Sequence, residues 1–148
     1  MSLEKDIQQT KFANEGQKCT VNIIYTYNWV VERLKACLDA ENITLQQFNI
    51  LRILRGSKEP LSTLQIRERM LDKMSDTSRL VDRLVQKGLV QKKTSKTDKR
   101  LVDVTITKKG LTLLAKLDKR STDMDGILSS LSEKECKTLN KLLDKLRG

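Results

Sequence analysis

Residues 75–106 read SDTSRLVDRLVQKGLVQKKTSKTDKRLVDVTI, and a change of period inside this stretch decides the fold. Thr77, Leu80, Val81 and Leu84 fall on one helical stripe that runs to Gly88, a natural C-terminal cap, so the spacing predicts a helix from near Ser75 to Gly88. Beyond Gly88 the period drops to two. Val102, Val104 and Ile106 alternate with Asp103 and Thr105, the pattern of a half-buried strand. Leu89-Val90-Gln91-Lys92-Lys93 is its hairpin partner, and Ser95-Lys96-Thr97-Asp98-Lys99-Arg100 is a polar, basic connection.

Upstream, Pro60 and Leu61 connect to a helix that opens on the capping pair Ser62 and Gln65 and turns Ile66 and Met70 inward. Thr44 and Gln47 repeat that pair before Leu45, Phe48, Leu51 and Leu54, and Gly56 ends this helix. From Cys19 to Leu38 a long amphipathic helix carries Ile23, Ile24, Tyr27, Val30, Val31, Leu34 and Leu38. Residues 1–16 are polar and weakly periodic, either disordered or an extension of that helix. Downstream, Leu114, Leu117, Ser121, Met124, Leu128 and Leu131 alternate spacings of three and four, a seam suited to a partner helix. Ser132 and Glu135 cap a last helix with the stripe Cys136, Leu139, Leu142, Leu143 and Leu146. The order helix, helix, hairpin after residue 60 is that of a winged helix–turn–helix. The expected fold class is mainly α with a small β-hairpin wing. One domain, 1–148, would hold a winged helix–turn–helix lobe over 44–110 and a helical dimerisation region formed by 17–43 and 111–148.

Charge narrows the function. The chain has 29 Lys and Arg against 19 Asp and Glu, a net +10. Residues 87–110 hold 8 basic and 2 acidic groups, so these 24 residues supply more than half of the excess. A compact basic segment is what contact with phosphates needs. The chain has no histidine, which removes His-based acid–base catalysis and His metal ligation. Cys19, Cys37 and Cys136 lack metal-ligand spacing and read as reduced thiols. No apolar run is long enough to cross a bilayer, and the charged start Met1-Ser2-Leu3-Glu4-Lys5-Asp6 is unlike a secretory signal. The expectation is a cytoplasmic protein that is not an enzyme and carries no cofactor or metal.

On the helix ending at Gly88, the stripe opposite Leu80, Val81 and Leu84 presents Ser75, Asp76, Ser78, Arg79, Asp82, Arg83 and Gln86. Small hydroxyls and arginines reach base edges and phosphates in a major groove, and a helix N-terminus near Ser75 and Ser78 favours a phosphate. The hairpin tip adds Lys96, Lys99 and Arg100. An arginine at a β-tip can enter a minor groove, where the potential is most negative. Asp98, the one acid of the tip, cannot favour DNA directly and makes sense as the group that holds a neighbouring arginine in one pose.

Residues 61–110 resemble the DNA-binding core of the multiple-antibiotic-resistance regulator (MarR) family. The matching pieces are Ser78-Arg79-Leu80-Val81-Asp82-Arg83-Leu84, Lys87-Gly88-Leu89-Val90, Asp98-Lys99-Arg100 and Thr105-Ile106-Thr107-Lys108-Lys109-Gly110. Thr44-Leu45-Gln46-Gln47-Phe48-Asn49-Ile50-Leu51 is similar to the family's second helix. The resemblance implies a homodimer built from the first and last helices, with two winged lobes on a pseudo-palindromic operator in double-stranded DNA. It implies that Ser78 and Arg79 read the major groove and that Arg100, steadied by Asp98, enters the minor groove. Many members release DNA on binding a small aromatic anion. Others sense oxidation through a cysteine near the start of the first helix, the place of Cys19. Those sensors have a Phe directly after the cysteine and a Tyr four residues on, whereas this chain has Thr20 and Ile23, which favours a passive thiol.

Two further expectations follow. Leu128, Leu131, Leu139, Leu142 and Leu146 are too much apolar surface for a small lobe to expose and are assigned to the dimer interface. Tyr25, Trp29 and Phe48, with Arg33 or Arg52 as counter-charge, are candidates for a ligand pocket, the alternative being that the rings are simply core. The leading function is a transcriptional regulator, a repressor relieved by a small molecule. The alternatives are a winged-helix module for protein partners and a thiol-based redox regulator.

Overall fold

The computed structural model describes residues 1–120 and 126–148. The chain divides into two bodies, Cys37–Asp123 and the terminal pair Met1–Ala36 with Met124–Gly148. The first is a lobe with its own sealed core. It comprises α3 (Leu45–Gly56), α4 (Thr63–Arg69), α5 (Thr77–Gln86), β1 (Val90–Thr94), β2 (Val102–Ile106) and α6 (Lys108–Asp118). Ile50, Leu51, Ile66, Val81, Leu84, Val104 and Leu114 are fully buried within it.

Local chemistry sets its boundaries. Thr44 and Ser62 each close a complete capping box, with Gln47 and Gln65 reaching back to the cap N–H. The C-terminus of α5 is a Schellman motif: Gly88 N–H donates to Val85 O at 2.9 Å and Leu89 N–H to Leu84 O at 3.0 Å. This places Gly88 at φ +71°, in the left-handed region glycine tolerates best. The strands pair antiparallel with Lys92 opposite Val104 and Thr94 opposite Val102. Leu61 adds a one-residue bridge to Val104, with bonds of 2.8 and 3.2 Å. The sequence read Leu61 only as a connector, because a single bridged residue has no period of its own.

Thr107 ties the wing to the helix that follows. Its hydroxyl accepts from Gly110 N–H at 3.1 Å as the cap of α6 and donates to Gly88 O at 2.7 Å. At Gly110 an added Cβ would overlap the Leu89 carbonyl oxygen and lie 2.7 Å from Ile106 Cγ1, so the position excludes a side chain.

Three sequence expectations change. The helix of the 75–88 stretch begins at Thr77, not near Ser75, because Asp76 is its N-cap and accepts from Arg79 N–H at 3.1 Å. The lobe is wider than 44–110, since Leu38 and Ile43 on one side and Leu114 and Leu117 on the other are all buried. For the same reason Leu114 and Leu117 serve the lobe's core rather than a partner seam, and α6 ends at Asp118. Ser121 and Met124 of that seam lie outside the described residues, and Leu128 sits in a separate 3-10 turn, Gly126–Leu128.

The terminal body holds α1 (Leu3–Asp6), most of α2 (Glu15–Asp39) and α7 (Glu133–Arg147), the last opened by the capping box of Ser132 and Glu135. Residues 1–16 are thus neither disordered throughout nor a simple extension of α2. Leu3 is buried and Glu4 pairs with Lys18 of α2. The only buried residue of α2 is Leu38, and α7 has none. Among the described residues no helix is long and apolar enough to cross a membrane.

Candidate nucleic-acid interface

The face of α5 opposite its buried stripe presents Ser78, Arg79, Asp82, Arg83 and Gln86 to solvent. This follows from the helix period: Thr77, Val81 and Leu84 are sealed inward, so residues one and two positions later must point out. Ser75 and Asp76 precede the helix. Ser75 donates from its hydroxyl to Asp72 O at 2.5 Å, and Asp76 is spent on the cap. Two of the seven residues assigned to the helix face therefore belong to the turn that shapes its entry.

The wing tip is a closed polar ring. Ser95 N–H donates to Leu101 O at 3.0 Å and Leu101 N–H to Asp98 O at 2.9 Å. The buried Ser95 hydroxyl accepts from Thr97 N–H at 3.3 Å. Inside this ring Asp98 accepts from Arg100 three times: the backbone N–H at 3.0 Å, Nε at 3.2 Å and Nη2 at 3.2 Å. The side-chain bonds run Nε to Oδ1 and Nη2 to Oδ2, a two-pronged guanidinium–carboxylate pair. The Arg100 side chain remains 90% exposed, so it is oriented without being covered. The side-chain bonds from Arg100, helped by its backbone N–H, hold the Asp98 carboxyl below the usual aspartate range.

A second ion pair joins wing and helix. Lys92 of β1 meets Asp82 of α5 at 2.6 Å. The sequence grouped Asp82 with the DNA-facing residues and did not see this pairing, which needs the hairpin to fold back on the helix. At the far end of α5, Lys87 donates to the Asn42 carbonyl and to the buried Gln47 side chain at 3.1 Å, so this cation serves the lobe itself.

Together these contacts sort the charges of the face. Asp76 is a cap, Asp82 is paired with Lys92 and Asp98 with Arg100. Among the described residues Arg79, Arg83, Lys96 and Lys99 have no acidic partner within 4.0 Å. The acids of this face are internally occupied while four cations point to solvent, an arrangement suited to polyanion contact.

The ligand-pocket candidates divide between the two bodies. In the terminal body the Arg33 guanidinium stacks 3.6 Å from the Trp29 ring centre, and Tyr25 and Trp29 line a cavity of about 450 Å³ with Leu3, Lys18 and Asn22. The sequence named Tyr25 and Trp29 for a pocket but gave no sign that Leu3 and Glu4 of α1 would form part of its wall. In the lobe Arg52 lies 5.7 Å from the Phe48 ring centre. Cys19 is an exposed free thiol, and Cys37 and Cys136 are half-buried free thiols. The dimer candidates Leu128, Leu139, Leu142 and Leu146 are exposed and Leu131 is half-buried.

Comparison with known proteins agrees with this geometry. The MarR family model matches residues 41–101, the stretch from the α2–α3 turn to the wing. The HTH-type transcriptional regulator MgrA of Staphylococcus aureus is 32% identical over 105 residues, which is 71% of this chain and 70% of that protein. A cysteine-to-serine mutant of E. coli MarR complexed with operator DNA superposes with a TM-score of 0.81 at 24% identity, covering 93% of this chain and 99% of the other. A structure describing regulation of DNA binding of Bordetella bronchiseptica BpsR by 6-hydroxynicotinic acid superposes with a TM-score of 0.76 at 19% identity, covering 88% and 99%. From the helix–turn–helix signature, the hairpin wing and these matches, the chain belongs to the MarR family of transcriptional regulators.

Proposed function

We propose that this protein is a cytoplasmic homodimer that binds a pseudo-palindromic operator in double-stranded DNA and represses transcription until a small aromatic anion releases it. The observation that carries the DNA reading is the sorting of charges on the α5–wing face. Its carboxylates are committed to a cap and two ion pairs, and Arg79, Arg83, Lys96 and Lys99 are left for DNA. In this reading Ser78 and Arg79 contact base edges, Arg83 and the wing lysines contact phosphates, and Arg100 enters the minor groove. The exposed leucines of α7 and the 3-10 turn pair with a second copy, which supplies the second lobe for the second half-site. The experiment is selection of bound duplexes from a random pool, followed by affinity against salt. A palindromic consensus with a steep negative slope of log affinity against log salt supports the reading, and a flat slope rejects it.

The ligand half of the proposal draws on the BpsR likeness and on the cation–π pair of Arg33 and Trp29, which places a cation beside aromatic surface. Tyr25, Phe48 and Arg52 are the further candidates. Thermal-shift screening with phenolic and pyridine carboxylic acids is the test. A hit that raises the melting temperature and weakens operator binding supports relief by ligand, and no hit across the panel counts against it.

A further inference from the structure

Around the turn between α4 and α5, three large apolar side chains stand in solvent: Leu64 at 63% exposure, Leu71 at 83% and Met74 at 92%. The turn is not loose. The Asp72 carboxylate accepts from Met74 N–H at 3.0 Å, and the Asp72 carbonyl accepts from the Ser75 hydroxyl at 2.5 Å. Met74 is therefore turned outward by a bonded loop. Leu64 has a more telling place. It shares a groove of about 400 Å³ with Thr63, Arg67, Ser75, Asp76, Thr77 and Ser78. That groove is continuous with the N-terminal end of the α5 face. Arg67 has no acidic partner within 4.0 Å among the described residues.

One apolar wall in a groove of hydroxyls and an unpaired arginine is a poor match for a protein partner, whose contact centre is broadly apolar. It fits the edge of a duplex. In the major groove the thymine C5 methyl is the apolar feature of the base-pair edges, and side chains read it by contact rather than by hydrogen bonding. We propose that Leu64, with Met74 next to Ser75 in the chain, receives a thymine methyl group of the operator, and that Arg67 neutralises an adjoining phosphate. This rests on the DNA-binding reading above and adds sequence-reading residues from outside α5.

The test uses the full chain and an operator selected with it. Each thymine is replaced in turn by deoxyuridine, which removes the methyl and keeps the pairing. Affinity is measured for the natural protein, Leu64→Ala, Met74→Ala and Arg67→Ala. At one or two thymines of each half-site, methyl removal should weaken the natural protein about fourfold, the effect of one buried methyl. Leu64→Ala should weaken binding to the intact operator and respond less to those replacements. Met74→Ala should show the same pattern in lesser degree. Arg67→Ala should weaken all duplexes alike and lower the salt slope by about one. Full methyl sensitivity in both apolar variants overturns the proposal. So do a natural protein indifferent at every thymine and a selected half-site that lacks thymine. In those cases tight operator binding leaves the DNA-binding reading standing, whereas failure to select any duplex removes both. Leu64 and Met74 are exposed, so unchanged melting temperatures are expected and will separate lost contact from lost fold.

Discussion

The lobe and the terminal helices treat leucine in opposite ways. In the lobe Leu51, Leu84 and Leu114 are completely sealed from solvent. On α7 Leu139, Leu142 and Leu146 are 40, 59 and 65% exposed. Both sets follow from amphipathic patterning, and helical spacing alone does not distinguish them. What differs is the presence of a covering layer. Around Leu84 the chain packs α3, α4 and β1 against α5, whereas among the described residues Leu139, Leu142 and Leu146 of α7 stay exposed. The lobe thus closes its own core, whereas the terminal helices, in our reading, close theirs against a second copy.

The sharpest way to break this contrast is to place the same kind of charge in each region. Leu84→Asp buries a carboxylate with no partner and is expected to cost more than about 4 kcal/mol, enough to unfold the lobe and abolish all DNA binding. Leu142→Glu puts its charge on an exposed face. Circular dichroism should show the lobe still folded, while sedimentation at micromolar concentration should show a monomer. Operator affinity should then fall on the order of a hundredfold, because one half-site binds alone. If Leu142→Glu unfolds the chain as Leu84→Asp does, the proposal that the terminal helices are separate from the lobe and depend on a partner fails. A Leu142→Glu protein that stays dimeric rejects α7 as the interface.

Within the lobe, the contrast narrows to two kinds of DNA contact. Arg79 extends from α5 without an acidic partner among the described residues, so nothing need be broken when it meets a base. If it reads a guanine through two hydrogen bonds, Arg79→Ala should cost about 1–3 kcal/mol on the selected operator and less on random DNA. Equal losses on both would reassign Arg79 to a phosphate.

Much of this was legible in the sequence because the signals are local. Ser132 with Glu135 marked the start of α7, Gly88 marked the end of α5, and the drop to period two marked β2. Asp98 was readable as a partner for Arg100 because the two are neighbours in the tip. What stayed hidden depends on chain segments meeting after folding. The Asp82–Lys92 pair joins residues ten apart across a reversal of the chain. The buried Ser95 hydroxyl looked like one more polar residue of a turn. Leu114 and Leu128 share a spacing pattern, yet only packing decides that Leu114 is sealed in the lobe while Leu128 is exposed.

The smallest expected effect is also the one whose sign carries most information. Asp98→Ala removes a negative charge from a cationic wing. Charge counting alone predicts tighter binding to DNA. The geometry predicts the reverse, because Asp98 fixes Arg100 through its backbone N–H, Nε and Nη2 while the guanidinium stays exposed. Without that fork Arg100 must be ordered by the DNA itself, at a cost in side-chain entropy. Weaker binding, by less than in Arg79→Ala and more evenly across operator and random duplexes, is therefore expected. The pH dependence supports the same distinction. The Asp98 pKa is depressed by its bonds from Arg100, so the ionised pair is present above the ordinary aspartate value of 3.8 and is lost only as pH falls through a lower one. The ratio of natural to Asp98→Ala affinities should then stay constant between about pH 7 and about pH 5, where a carboxylate with a lowered pKa remains ionised. A ratio that collapses by pH 5, or tighter binding by Asp98→Ala, would show that the carboxylate does not position Arg100, and the wing would have to be reassigned to simple charge attraction.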